Sequence, residues 1–315
     1  MKALPFLAIV VVTGLLAIVP FTLSAVMIQF GIATLLLATL AQGWNILGGF
    51  TGYASFGNSV FYGLGTYGTA VAMVQWHLPF AVGLAIGAAV AVVFAVLLGI
   101  PVLRLRGHYF AIATLAISQA MAAVISNLDI AGRNSGLILP LIRGDVMFYE
   151  LALGLIVLAT ACVYWISRSR FGLGLIAIRE NEDAAAVMGI NTTWYKIVAF
   201  ALAGVFSALA GGIHAYWITF IDPHSAFDLL LDVKLIIMAV FGGPGTVFGP
   251  IIGTFLLSGI SEVLSSKVSG VASLFFGLVI VVAVTLMPRG LMNVIGKFRR
   301  RGWRVFSDNI RDNRV

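Results

Sequence analysis

The sequence has very little charge and almost no cysteine, and both shortages narrow what the chain can be. Charged residues make up 10% of its 315 residues, hydrophobic residues make up 61%, and the mean hydropathy is +1.07. Because soluble domains carry about a quarter charged residues, this composition excludes a soluble globular fold. Cys162 is the only cysteine, which excludes an intrachain disulfide. The composition predicts an all-α polytopic membrane protein.

Motifs for nucleotide and metal chemistry are also missing. The nearest approach to a phosphate-binding loop ends at Lys297, with the wrong glycine spacing and with Phe298 in place of serine or threonine. The four histidines are far apart and lack the spacing of metal ligands: His77, His108, His214 and His224. We therefore expect no cofactor, no metal site and no enzymatic activity in this chain. Any ATP that drives it must be bound by partner subunits.

Acidic residues are predicted to be absent from the middle of the membrane. The twelve carboxylates fall in loops or near the ends of apolar runs, including Asp129, Glu150, Asp222, Asp232 and Glu262. An ion-coupled transporter or voltage sensor is expected to hold at least one ionisable group at that depth. The pattern therefore argues against a stand-alone secondary transporter or channel, which is the main alternative from another functional class.

Long apolar runs fill the rest of the chain. Each is near the ~20 residues that a helix needs to cross a bilayer. They lie at 5–23, 26–47, 55–75, 79–103, 109–127, 146–166, 197–221, 228–242, 246–261 and 270–287. The eighth and ninth are short and interrupted by glycine, so the predicted number of spans is eight to ten.

The distribution of lysine and arginine predicts that both termini are cytosolic. In that orientation fifteen basic residues lie inside, and only Arg133, Arg143, Lys234 and Lys267 lie outside. The net charge of +7 and the pI near 9.8 do not indicate nucleic-acid binding, because the basic residues flank the apolar runs. We divide the chain into a transmembrane domain at 1–296 and a basic cytosolic tail at 297–315, which suits anionic lipid headgroups.

Two glycine-rich segments interrupt the apolar pattern in the two halves of the chain, at 48–59 and 241–250. Irregular backbone near a membrane needs protein or a water-filled cavity to satisfy it, so paired interruptions favour a solute route. The predicted lining residues are Asn45, Thr51, Tyr53, Ser55, Asn58 and Thr114. The alternative is that both segments are tight turns at the ends of spans.

The polar stretch at 167–196 is the longest departure from the apolar composition. Within it, the residues from Gly172 to Met188 predict one short helix that ends at Gly189, because alanine favours helix and glycine lets the chain turn back. By its physical properties alone, this helix either docks on a soluble partner or is simply solvated.

Several motifs, in order, resemble the branched-chain amino acid permease family of bacterial ABC importers. They are GWNILGGFTGYASFGNSVFYGLGTYG at 43–68, LRLRGHYFAIATLAISQ at 103–119, AIRENEDAAAVMGINTTWYKIVAFALAGVFSALAGG from residue 177, and VFGGPGTVFGPIIGTFLL at 240–257. The resemblance covers most of the chain. It implies a type II-like ABC importer permease of the bacterial inner membrane, with a coupling loop at 167–196.

The resemblance also implies the partners and the docking residues. It implies a second homologous permease subunit, two ABC ATPase subunits and a periplasmic solute-binding protein, in addition to the lipid bilayer. It assigns contact with the ATPase to Arg179, Glu180, Asn181, Glu182, Ala184, Ala185 and Gly189. The chain departs from the family pattern at His108, Gln119 and 131–136, which leaves the solute open, since related permeases carry urea, amides or other amino acids.

Overall fold

The computed structural model describes residues 24–141 and 144–265, together with Leu291. The runs predicted at 5–23 and 270–287 and the tail at 297–315 lie outside the described residues. The described residues therefore cover the eight central runs and, apart from 142–143, the connections between them.

Helices account for most of the described chain. In order, the elements are α1 (Ala25–Trp44), a π-helical turn (Asn45–Gly49), α2 (Asn58–Val74), α3 (Phe80–Val102), α4 (His108–Asn127), short 3-10 turns at Asp129–Ala131 and Arg133–Ser135, β1 (Leu137–Ile138), α5 (Asp145–Arg168), α6 (Arg170–Glu180), α7 (Glu182–Val187), α8 (Thr192–Ile218), β2 (Phe220–Ile221), α9 (Pro223–Ala226), α10 (Leu229–Gly242) and α11 (Gly249–Ser265).

The all-α polytopic fold is confirmed. Within the described residues, five helical segments are long and apolar enough to cross a membrane: Ala25–Gly49, α3, α4, α5 and α8. The shorter helices α2, α10 and α11 coincide with the other three predicted runs in this part of the chain. Hydropathy alone located each of these helices to within a few residues.

Helix α8 is central and packs against α1, α2, α3 and α5. Small residues let the backbones approach closely, as is usual where packing drives helix association in a membrane. A Cβ atom at Gly65 would lie 2.1 Å from the carbonyl oxygen of Ala208, and one at Gly87 would lie 2.8 Å from that of Gly65. Gly83 and Gly87 both face α2 and allow α3 to pack closely against it.

Helices α10 and α11 form a hairpin around the second glycine-rich segment. Gly253 faces the carbonyl oxygen of Met238, where a Cβ would lie only 2.0 Å away, and Gly249 faces that of Gly242. The turn needs Gly245, whose φ of +74° is a left-handed conformation that other residues rarely adopt.

A two-stranded antiparallel ladder joins the loops that follow α4 and α8. Leu137 pairs with Ile221 and Ile138 pairs with Phe220. The N–H of Leu139 extends the ladder by donating to the carbonyl oxygen of Thr219 at 2.7 Å. The charge distribution predicts that this end of the molecule faces the outside.

Candidate functional site at the loop between α5 and α8

The polar loop folds into two helices, not the single helix predicted from Gly172 to Met188. Asn181 breaks the pattern with extended backbone, at φ −162° and ψ 110°. Its side-chain oxygen accepts a hydrogen bond from the N–H of Ala184 at 3.0 Å, which caps α7. The prediction was wrong because the alanine-rich composition hid a capping residue, and the break lets α7 change direction.

Helix α7 ends close to Gly189, the residue that was predicted to end the helix. Gly189 has φ +85°, and the N–H of Ile190 donates back to the carbonyl oxygen of Ala185 at 3.1 Å. This left-handed turn satisfies carbonyl groups at the end of the helix. The chain can therefore return to the membrane after only a few residues and begin α8.

Glu182, at the start of α7, is the centre of a polar cluster. Its carboxylate accepts hydrogen bonds from the Lys196 ammonium, at 2.7 Å, and from the Tyr53 hydroxyl. Lys196 belongs to α8, and Tyr53 belongs to the glycine-rich segment between α1 and α2. One carboxylate thus connects the loop to two separate parts of the membrane domain.

Lys196 is buried, with only 3% of its side chain exposed, and its charge is satisfied from several directions. The ammonium donates to the carbonyl oxygen of Leu103 at 2.7 Å and to the Tyr53 hydroxyl at 3.1 Å, and it lies 4.7 Å from the centre of the Tyr53 ring. Buried charges persist in proteins when they are paired and hydrogen-bonded in this way. The segment after α3 is therefore also held at this point.

A second ion pair, at the surface, holds the same loop. Arg106, between α3 and α4, donates two hydrogen bonds to Asp183, at 3.0 and 2.8 Å. This paired geometry is the strong form of a guanidinium–carboxylate contact. The Arg106 hydrogen bond and charge lower the pKa of Asp183 below its ordinary value.

The environment of Glu182 favours its charged form. Partial burial by itself would raise its pKa, but the hydrogen bonds from Lys196 and Tyr53, together with the positive charges of Lys196 and Arg106, outweigh burial and lower it. Conversely, burial and the neighbouring Glu182 carboxylate raise the pKa of Tyr53, which stays a neutral hydrogen-bond donor. The cluster is therefore an ionised acid with two fixed donors.

Arg179 joins the loop to both glycine-rich segments. Its guanidinium donates to the carbonyl oxygen of Gly49 at 3.2 Å and packs against Gly245. Asn45 closes the same region, because its side chain accepts from the N–H of Gly245 at 2.7 Å and donates to the carbonyl oxygen of Thr246 at 2.9 Å. The two segments from opposite halves of the chain therefore meet directly beneath the loop.

The other predicted pathway residues lie close together around the start of α2. Thr51 donates to the carbonyl oxygen of Leu47 at 2.7 Å, and the Ser55 hydroxyl accepts from the N–H of Gly57 at 3.1 Å. Thr114 of α4 accepts from the N–H of Phe56 at 3.0 Å. Asn58 is buried, and its amide nitrogen has no hydrogen-bond partner among the described residues.

The solvent-exposed face of the loop carries apolar side chains among polar residues. Val187 is 88% exposed and Met188 is 82% exposed, and Ala184 and Gly189 are also exposed, whereas Ala185 is buried. The polar residues Arg179, Glu180 and Asn181, which precede this stretch in the chain, are exposed as well. Exposed apolar groups rimmed by charge are typical of a protein-binding surface.

Asp232 is a carboxylate buried inside the fold. It is 1% exposed and accepts from the N–H of Ser59 at 3.0 Å and from its hydroxyl at 2.5 Å. The Ser59 hydroxyl also bonds that of Ser118 at 2.7 Å, and Ser118 lies halfway along α4. The carboxylate thus lies in the first turn of α10, near the end of its predicted span, while its partners connect it to the middle of α4.

Sequence reasoning found the loop but missed the residues that hold it. Arg106, Asp183 and Lys196 were not among the predicted coupling residues, and Tyr53 was assigned only to the pathway. All are distant from Glu182 in sequence except Asp183, so spacing carries no signal of their convergence. Lys196 is a charged residue directly before the predicted span at 197–221. It is the one feature of the sequence that could have indicated a buried ion pair.

These features define a class: a polytopic helical membrane protein whose polar loop is fixed to the membrane domain and presents an apolar face. The family model described as "Branched-chain amino acid transport system / permease component" matches residues 26–284. The chain belongs to this family of transport permeases, and as a permease component it works as part of a larger transport system.

Individual relatives agree with this assignment. The chain is 27% identical, over 87% of its length and 71% of theirs, to the high-affinity branched-chain amino acid transport system permease proteins LivM of Salmonella typhimurium and Escherichia coli. It is 29% identical, over 56% of its length and 54% of the relative, to the autoinducer 2 import system permease protein LsrC of Yersinia enterocolitica. No solved structure matches the chain.

Proposed function

We propose that this chain is a transmembrane subunit of a bacterial ABC importer that carries branched-chain or related amino acids across the inner membrane. ATP is bound and hydrolysed by two partner ATPase subunits. A second homologous permease completes the passage, and a periplasmic binding protein delivers the solute. The observation that carries the proposal is the loop at α6 and α7, which is fixed on one side and exposes an apolar face on the other.

The contacts of the loop suit the transmission of force. Glu182 and Arg179 connect it to α8 and to both glycine-rich segments, and Asp183 connects it to the α3–α4 turn. A movement of α7 therefore acts on three parts of the membrane domain at once. This arrangement supports the assignment of Arg179, Glu180, Asn181, Glu182, Ala184, Ala185 and Gly189 to ATPase coupling.

The same proposal places the solute passage beside the start of α2, along Asn45, Thr51, Tyr53, Ser55, Asn58 and Thr114. The unpartnered amide nitrogen of Asn58 supports this placement, because a buried donor without a partner is costly unless a ligand or water meets it. Asn45 and Thr51 use their side chains to hold neighbouring backbone. They would shape the passage more than they contact the solute.

The docking role is tested by changing the exposed face without touching the cluster beneath it. Val187→Asp should abolish co-purification of the ATPase with the reconstituted complex and the stimulation of ATP hydrolysis by solute-loaded binding protein. The matched control is Ile138→Asp, a comparably exposed apolar residue on the opposite end of the molecule, which should retain the ATPase and is compared by co-purification alone. If Val187→Asp retains the ATPase and its stimulation, the docking role is wrong.

The solute is tested separately, since the relatives are named for two different cargoes. Proteoliposomes that contain the complete importer should take up L-leucine when ATP is enclosed and binding protein is present. Autoinducer 2 and urea are the comparison solutes. Uptake of either in place of L-leucine would keep the importer and replace the amino-acid assignment, and uptake that needs an ion gradient and no ATPase would overturn the importer.

A further inference from the structure

The exposed face of α5 changes in character as the helix approaches its end. Leu158, Trp165 and Arg168 recur at helical spacing along this face, and all three are exposed, Leu158 at 57% and Trp165 at 61%. At a rise of about 1.5 Å per residue, Trp165 lies roughly 10 Å beyond Leu158, and Arg168 follows about one turn later. Helix α5 is long and apolar enough to cross a membrane, and it ends at Arg168. Its exposed face therefore passes from aliphatic to aromatic to basic, which is the order of the hydrocarbon, the interface and the headgroups of a bilayer.

Helix α6 follows α5 after a single residue, so it begins where the membrane span ends. Ser169 joins the two helices, because its hydroxyl donates to the carbonyl oxygen of Ile166 at 2.9 Å and accepts from the N–H of Gly172 at 3.1 Å. The junction is tight, since a Cβ at Gly172 would lie only 1.9 Å from the same carbonyl oxygen. Arg168 and Arg170 are thereby held on either side of Ser169, at the end of the span.

Neither of these two arginines has an acidic partner among the residues that the structure describes. The five ion pairs in that part of the chain all involve other residues. Arg168 lies over the ring of Tyr164, at 5.4 Å from its centre, and the first turn of α6, which begins at Arg170, contains no acidic residue. Both arginines are exposed. Their charges are therefore free to meet an anion outside the described chain.

Apolar side chains are exposed on both sides of the two arginines. Leu173 is 66% exposed and follows Arg170 by one turn of α6, so the two share a face. Trp194, at the start of α8, is 53% exposed and is held beside α6 by Phe171, whose ring meets it edge-on at 6.0 Å and stacks on Tyr195 at 5.2 Å. Leucine and tryptophan beside arginine suit the boundary of a bilayer, where the apolar groups enter the acyl region and the guanidinium groups stay at the headgroups.

We propose that this corner of the molecule binds anionic phospholipids of the cytosolic leaflet. The corner, which we call the α5–α6 corner, consists of two arginines and three exposed apolar residues: Trp165, Arg168, Arg170, Leu173 and Trp194. The guanidinium groups donate to the phosphate oxygens of the headgroup, a charge-assisted contact, and the apolar side chains contact the adjoining part of the acyl chains. Basic residues at the end of a span are attracted by the negative charge of that leaflet.

The lipid contact has a consequence for the loop at α6 and α7. Helix α6 carries the α5–α6 corner at its start and Arg179, which donates to the carbonyl oxygen of Gly49, near its end. Lipid thus holds the first turn of α6 while the protein holds the last. An effect of lipid on the coupling of this loop to an ATPase rests on the proposed function, whereas the lipid contact itself does not.

Quenching of tryptophan fluorescence tests the contact. The complete complex is placed in nanodiscs of phosphatidylcholine and phosphatidylglycerol, with bromine on the acyl chains of one lipid at a time. The signal of Trp165 is the difference between each protein and its Trp165→Phe counterpart. Brominated phosphatidylglycerol should quench it more than brominated phosphatidylcholine at equal fraction. Combined Arg168→Gln and Arg170→Gln should lower the relative binding constant of the anionic lipid about tenfold.

Arg133→Gln is the matched control, because this exposed arginine lies at the opposite end of the molecule and pairs with Asp129. It should keep the preference for phosphatidylglycerol. Equal quenching by the two lipids, or a preference that the double substitution does not lower, overturns the proposal. Absence of quenching by either lipid overturns it too, because protein then covers Trp165. Loss of the preference on addition of inorganic phosphate would identify a site for a free anion, and loss of the ATPase from the double variant during co-purification would assign the arginines to that subunit; either result overturns the lipid surface.

The effect on the loop is measured in the same nanodiscs. In wild type, the stimulation of ATP hydrolysis by solute-loaded binding protein should rise with the fraction of phosphatidylglycerol, and in the double variant it should rise less. If wild type shows no stimulation in any lipid, the importer function is wrong, while quenching still reports whether lipid binds the α5–α6 corner. If wild type is stimulated equally in all lipids, the effect of lipid on the loop is wrong and the importer function stands.

Discussion

Lys196 and Glu182 form an ion pair, with Nζ 2.7 Å from Oε1, in which the lysine is the more deeply buried partner. Removal of the glutamate leaves a buried ammonium without a counter-charge, whereas removal of the lysine leaves a carboxylate that still touches solvent and Tyr53. The asymmetry predicts different consequences for the two substitutions.

Glu182→Leu should therefore destabilise the protein by about 3 kcal/mol, and Lys196→Met should destabilise it less. The double variant should be more stable than Glu182→Leu alone, because it removes the stranded charge. Thermal unfolding of the purified protein in detergent measures all three. Arg106→Gln is the comparison, since its pairs with Asp183 and Glu182 are solvent-exposed on the arginine side and their loss should cost less than the loss of Glu182. Equal losses for the two single variants would contradict the buried-lysine account.

The contribution of Glu182 to the stability of the protein should be lost on acidification. The pKa of Glu182 is lower in the folded protein than its ordinary value of 4.5, so its contribution is complete above that value and is lost as the pH falls through the folded pKa. Unfolding temperature measured between pH 7 and pH 3 should stay level and then fall for wild type. Glu182→Gln should lack this component of the fall, and an identical profile for both proteins would refute the prediction.

Two glycine substitutions should act in opposite directions. Gly65→Ala places a Cβ 2.1 Å from the backbone oxygen of Ala208, so α2 and α8 must separate and the protein should unfold several degrees earlier. Gly154→Ala, in α5, meets no atom within 4 Å and should stabilise the helix by about 0.5–1 kcal/mol. Unfolding temperatures check both, and destabilisation by Gly154→Ala would show that the exposed face of α5 is needed for packing.

Asp232 should behave as a structural acceptor for the start of α2. Asp232→Leu leaves the buried N–H of Ser59 without a partner, which costs about 1–3 kcal/mol. Asp232→Asn keeps one acceptor oxygen and should cost less. Thermal unfolding distinguishes the two, with Ser118→Ala as a milder control at the far end of the same network. If asparagine and leucine are equally harmful, the negative charge itself matters at this position.

The sequence was sufficient for everything that depends on local composition. Apolar runs located eight of the described helices, and Gly189 marked the end of α7, because both signals come from adjacent residues. It was insufficient where distant residues converge. No residue near Glu182 in the sequence indicates its contacts with Tyr53 and Arg106. The depth at which Asp232 is buried in the fold depends on where α9 ends and α10 begins.

The short ladder between β1 and β2 limits how the outer end of the molecule can open. Because Leu137 and Ile138 share backbone hydrogen bonds with Ile221 and Phe220, the loops that follow α4 and α8 cannot separate without breaking them. A soluble protein that displaces either loop therefore displaces both. Any separation at this end of the molecule has to occur along an edge that the ladder does not close.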